Sequence, residues 1–147
     1  MQGHPLSNTL QMRIVLDTNC LLRSVPPKSE YNIFLSSLQK GHYTLCYSND
    51  ILMEYEELLI RFFPVLLTYN VLNFIVNSPY TQRINPFYKW NLISSDPDDN
   101  KFVDCALNAG ADYIVTSDRH FNVLKSIDFP PIKIINIEVF KNILQIS

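Results

Sequence analysis

The chain has no excess of positive charge. Its 147 residues hold 12 Lys and Arg against 14 Asp and Glu, a formal net charge of -2. That balance excludes a general nucleic-acid coat, because counterion release needs clustered cations. It still permits work on a nucleic acid if metal ions neutralise the acids and a few cations line the rim. Cys-x-x-Cys and His-x-x-x-His are also missing, and Cys20, Cys46 and Cys105 are an odd number with no paired spacing. A structural zinc site and a disulfide framework are therefore excluded, and free thiols in a reducing cytoplasm are expected. No run reaches the ~20 apolar residues of a membrane span. The stretch Met1 to Gln11 lacks the apolar core of a signal peptide, so neither membrane contact nor export is expected. Repeats and linkers are absent too. The expected organisation is a loose leader over 1–12 followed by one domain over 13–147.

What the chain does have is apolar bulk: 47% hydrophobic residues, including 8 Tyr and 9 Phe, enough for a globular core. Short apolar runs predict strands over Met12–Leu16, Tyr43–Tyr47, Asp112–Thr116 and Lys133–Asn136, with a further edge strand over Thr81–Ile84. Between them, three- and four-residue spacing predicts helices over Ser29–Gln39, Asp50–Phe62, Val65–Asn77, Asp99–Asn108, Arg119–Leu124 and Ile137–Ile146. Ser48 is placed to cap one helix, and Gly110 to stop another. Strands that alternate with helices indicate a three-layer α/β/α sandwich with a mostly parallel central sheet.

The acids are unevenly placed. Asp96, Asp98, Asp99 and Asp104 fall within nine residues, around Pro97, although the whole chain carries only 14 acids. One helix cap would account for one of them and not for four. Asp17 and Asp118 each follow an apolar strand, and Glu54 lies on the helix after the second strand. Residues at the carboxyl ends of parallel strands converge on one crevice, which makes an acidic pocket of Asp17, Asp118 and an acid from the Pro97 stretch. Two carboxylates ~5 Å apart repel by roughly 3 kcal/mol at an effective dielectric of about 20, so such a cluster demands a cation or shifted pKa values. Oxygen ligands without His or Cys favour Mg²⁺ or Mn²⁺. Such ions activate water, hold a phosphodiester and stabilise the leaving oxygen. Phosphodiester hydrolysis is the reaction these residues predict.

Four motifs then line up in order: Leu16-Asp17-Thr18-Asn19, Glu54, Asp98-Asp99-Asn100-Lys101-Phe102, and Thr116-Ser117-Asp118 before Phe121. In this arrangement the chain resembles the PIN-domain ribonucleases, over about residues 13 to 140, and most of all the bacterial branch of toxin components of toxin–antitoxin systems. The resemblance implies a Mg²⁺- or Mn²⁺-dependent endoribonuclease acting on single-stranded RNA. Its metal-binding acids would be Asp17, Glu54, Asp99 and Asp118, with Asp104 added because members of this branch often carry an acid there. Thr18 and Asn19 would position the first aspartate and the water ligands of the metal, with Asn100 and Thr116 in support. The resemblance also implies a cognate antitoxin that fills the acidic groove, and a homodimer is common among such relatives.

Each residue has a plainer alternative. Asp17 could only cap a turn, Asp99 and Asp118 could only cap helices, and Glu54 sits beside Glu56 and Glu57 in what could be a solvated face. Asp104 is 140° from Asp99 on a regular helix, whereas Asn100 is in register with it at i to i+4. Lys101, Arg119 and His120 are candidates for RNA contact at the rim, against a role as plain surface cations. Phe87, Tyr88 and Trp90 could stack bases, although burial in the core is the commoner fate of such a cluster. Two rival functions stand beside the nuclease. One is a PIN-like binding or regulatory domain without catalysis. The other is a phosphatase of the haloacid-dehalogenase type, which needs a second aspartate where Asn19 stands.

Overall fold

A computed structural model of the chain describes residues 11–86, 92–93, 97–117, 121–122, 125 and 132–146. Five strands form one sheet: β1 (Arg13–Leu16), β2 (Thr44–Tyr47), β3 (Thr81–Arg83), β4 (Tyr113–Val115) and β5 (Ile134–Ile135). Every pairing is parallel, in the order β3-β2-β1-β4-β5. The central position of β1 explains its composition, since Ile14, Val15 and Leu16 are all fully buried and both faces of the strand are covered. The strand expected over Thr81–Ile84 does lie at an edge, where β3 leaves Gln82 and Arg83 exposed.

Six α-helices are described: α1 (Thr18–Ser24), α2 (Ile33–Gln39), α3 (Asn49–Phe62), α4 (Val65–Asn77), α5 (Asn100–Ala109) and α6 (Ile137–Ile146). The connections from β1 through β2 to β3 carry α1–α4, and the return from β3 to β4 carries α5. Since parallel crossovers are right-handed as a rule, the reversal of direction puts α5 on the opposite face of the sheet. The result is the α/β/α sandwich expected from the alternation. Helix α6 packs on α2, where Phe140 meets Phe34 with ring centroids 4.9 Å apart. No described helix is long and apolar enough to cross a membrane.

Local chemistry sets most helix ends. The Ser48 Oγ accepts the Ile51 N–H at 3.2 Å and caps α3. Ser48→Ala is expected to lower stability by about 1 kcal/mol in urea denaturation, with the slope unchanged. Gly110, at φ 63°, stops α5, and the Ala111 N–H turns back to the Ala106 carbonyl at 2.9 Å. Gly41 sits at φ 76°, where an added Cβ would meet the Tyr80 ring at 2.6 Å.

Two elements differ from the sequence reading. The helix expected over Ser29–Gln39 begins only at Ile33, because Ser29 is drawn into a turn. Its hydroxyl donates to the Arg23 carbonyl at 2.6 Å and accepts from the Tyr31 N–H at 3.1 Å, an alternative to helical bonding. Helix α1 was not expected, since Thr18-Asn19 reads as a turn. It forms because Cys20, Leu21 and Ser24 all reach buried positions from one short helix. The helix expected over Arg119–Leu124 falls largely outside the described residues.

Candidate active site at the carboxyl edge of the sheet

The strand order turns back between β1 and β4, and this is where open parallel sheets bind ligands. Asp17 sits there. Its backbone N–H extends the pairing by bonding the Val115 carbonyl at 3.0 Å, and its own carbonyl receives the N–H groups of Cys20 and Leu21, which starts α1. One residue beyond β4, the Thr116 hydroxyl donates to Asp17 Oδ2 at 2.8 Å. Asp17 is 7% exposed and Thr116 3%, so strand pairing and a buried hydrogen bond fix the carboxylate at the switch point. Directly beneath it, the buried Tyr55 hydroxyl from α3 donates to the Leu16 carbonyl at 2.7 Å and locks that helix to the end of β1.

The next residue carries the connection to α3. Thr18 Oγ1 donates to Glu54 Oε2 in a short hydrogen bond. The other oxygen, Glu54 Oε1, takes the Lys101 ammonium of α5 at 2.7 Å, with both side chains about one-fifth exposed. A continuous chain of contacts therefore runs from Thr116 to Asp17, on through the backbone to Thr18, and from there to Glu54 and Lys101. Lys101, a candidate for RNA contact, lies on this carboxylate in the structure.

Helix α5 starts one residue later than expected, after a 3₁₀ turn over Pro97–Asp99. That turn puts Asp99 at the N-cap with Oδ2 sealed from solvent, without a side-chain capping bond. Asn100 and Asp104 are both buried on α5 and line one groove, as their i to i+4 register suggested. Asn100 has a further task that its position did not reveal. Its amide donates to the Ile93 carbonyl and accepts the Ile93 N–H, both at 2.9 Å, and so ties the incoming chain to the helix.

Two concavities flank Asp17 and Thr18. One, of about 520 Å³, is lined by Asp17, Asn19, Arg23, Phe62, Phe63 and Ser117, among others. The other, of about 740 Å³, holds Glu54, Asp98, Asn100, Lys101 and Asp104 with further acids of α3. Asp99 lines neither of these two. Asp118, Arg119, His120 and the Phe87, Tyr88 and Trp90 cluster lie outside the described residues. Among the described residues, no three His, Cys, Asp or Glu side chains are close enough to hold a metal ion together. Arg23, Phe62 and Phe63 were not expected at the site. The available signal was the Phe62-Phe63 pair at the very end of an amphipathic helix, where Phe63 still packs against the core and Phe62 is left exposed.

The three thiols are buried and reduced. Burial first, and then the Asp17 charge, push the Cys20 thiol from 9.0 up to about 12. Burial likewise raises Cys46 and Cys105. Because thiolate is the reactive form, an aromatic disulfide reagent at pH 8 is expected to label none of the three in the folded chain and all three in urea. Raised folded pKa values also fix a sign for stability. The contribution is complete below pH 9, the value for the unfolded thiol, and is lost as pH rises towards about 12.

Comparison with known proteins adds to this geometry. A family model of the PIN domain matches residues 13–120. Eight chains of solved structures match as well. One is the crystal structure of VapBC2 from Rickettsia felis bound to a DNA fragment from their promoter. It has a TM-score of 0.59 and 18% identity, over 85% of this chain and 98% of that one. No curated protein matches the chain.

Proposed function

Since the chain belongs to the PIN-domain family, we propose that it is a divalent-metal-dependent endoribonuclease that cleaves single-stranded RNA, and the toxin component of a toxin–antitoxin pair. The observation that carries this reading is the Thr116–Asp17–Thr18–Glu54 chain of contacts, which holds two carboxylates from different elements at the switch point of the sheet. PIN domains are nucleases as a family and generally use divalent ions. Fold likeness to a chain of the VapBC2 assembly supports a protein partner of antitoxin type. RNA, such an antitoxin, and a second copy of the chain are the proposed partners, in the cytoplasm.

By donor type the residues suit a hard cation, although among the described residues no three of the acids stand close enough to hold one together. All the proposed ligands are carboxylates, the donors that Mg²⁺ and Mn²⁺ prefer, and Glu54 already holds a cation here in the Lys101 ammonium. Asp17, Glu54, Asp99, Asp104 and Asp118 are the proposed metal-binding set, with Asp17, Glu54, Asp99 and Asp118 acting in catalysis. A bound divalent ion supplies Lewis acidity and an acidified water for attack on phosphorus. The chain's own residues do the positioning. Thr116 fixes the rotamer of Asp17, Thr18 orients Glu54, and Asn100 holds the segment that leads into α5.

One observation favours a second reading, a PIN domain that binds without cleaving: Lys101 satisfies Glu54, so a metal must compete with an ion pair for that carboxylate. A single assay separates the two. Purified chain with Mn²⁺ is expected to cut a labelled single-stranded RNA, to lose that activity in EDTA, and to regain it when Mn²⁺ is returned. RNA left intact under all three conditions would favour the silent domain.

A further inference from the structure

The cavity of about 520 Å³ beside Asp17 is within the size range of small-ligand sites, and the metal chemistry proposed above does not use most of its wall. Phe62 ends α3 and is 62% exposed, and Phe63 follows it, half-buried, in extended conformation. An aromatic ring so exposed at the mouth of a cavity gains by being covered with a flat, apolar face. Arg23 is at the rim, exposed, with its guanidinium 5.9 Å from the Tyr31 ring centre. Asn19 and Ser117 are exposed beside Asp17 and offer an amide and a hydroxyl, groups able to donate and to accept.

Charge decides which side of the site a polyanion can enter. The neighbouring groove presents six carboxylates against one ammonium, Lys101, and repels phosphate wherever no metal ion neutralises it. The cavity beside Asp17 presents one carboxylate and one guanidinium. Resting on the ribonuclease reading of the same site, the geometry points to this cavity as a nucleotide subsite. An unpaired base of the RNA stacks on Phe62 and Phe63, a flanking phosphate meets Arg23, and Asn19 and Ser117 contact the base edge. Stacking suits a single strand, since every base has a face to offer and none is lost to pairing. An apolar segment of a protein partner could also cover Phe62, but it would leave Arg23 with no phosphate to bind.

The test is binding of the full chain to a labelled eight-nucleotide single-stranded RNA in Ca²⁺ buffer, followed by anisotropy, with gels to verify that the RNA stays intact. Phe62→Ala is expected to weaken binding about tenfold, and Phe62→Tyr to restore it, because the ring is what stacks. An abasic nucleotide moved along the RNA should weaken wild-type binding at one position and have little effect there in Phe62→Ala. Arg23→Gln should reduce the salt dependence of binding by about one phosphate contact. Phe62 is a surface residue, so circular dichroism should give the same melting curve for both of its variants. Unchanged RNA affinity in Phe62→Ala, in a chain whose wild type cuts RNA with Mn²⁺, would overturn the subsite and leave the ribonuclease standing. A wild type that neither binds nor cuts RNA would overturn both.

Discussion

Asp17→Asn is expected to reduce RNA cleavage by about three orders of magnitude and to leave the melting temperature unchanged or slightly raised. Both halves follow from where the residue sits. Asn has the same shape and keeps an oxygen to accept the Thr116 hydroxyl, so the 2.8 Å hydrogen bond that orients the side chain survives. The backbone contacts to Val115, Cys20 and Leu21 do not involve the side chain at all. What disappears is a negative charge in a position only 7% exposed. Holding a carboxylate away from water opposes folding, so removing the charge should not destabilise the chain. A group that costs stability and is essential to activity marks a working site. The check is initial cleavage rates with Mn²⁺ alongside a thermal melt. Full activity in the variant would displace Asp17 from the site, and a collapsed melt would make it a structural residue.

The legible parts of the fold were those where one rule governs several residues at once. The apolar run Ile14-Val15-Leu16 announced a central strand because both its faces are buried. Helices α4 and α6 have the bounds that periodicity gave, Val65–Asn77 and Ile137–Ile146, as Pro64 and Asn136 mark their starts. Helix α1 was hidden because it has only 7 residues and opens on Thr18-Asn19, residues that favour turns until β1 and β4 fix Asp17 ahead of them. Of the site, the place of Asp17 at the end of β1 was legible, while Asp118 lies outside the described residues and Asp99 lines neither concavity. The internal wiring of the site was not legible, since the bonds from Thr18 to Glu54, from Lys101 to Glu54 and from Asn100 to Ile93 join residues whose separation says nothing about contact. Arg23 escaped notice for a related reason. It reaches the cavity only because α1 exists.

The second large effect concerns stability, and it falls away from the acids. Phe140→Ala is expected to cost about 4 kcal/mol, within the usual span for a buried phenylalanine, and to lower the melting temperature by roughly 10 °C. The Phe140 ring is fully buried between Phe34 of α2, at 4.9 Å, and Tyr43, which it meets edge to face at 5.2 Å. The Tyr43 hydroxyl donates in turn to the Phe34 carbonyl at 2.7 Å, so the three residues brace one another. Truncation would leave a void among rings that cannot collapse into it, because α2 is tied to β2 through Tyr43 and the hydroxyl is held by backbone. It would also loosen α6, which has Ile137 and Leu144 as its other buried anchors. Val139→Ala, next along the same helix at 42% exposure, is the control and should shift stability by less than about 0.5 kcal/mol. Urea midpoints of the two variants make the comparison. If they moved by equal amounts, the helix would be held by propensity alone and not by its aromatic contact.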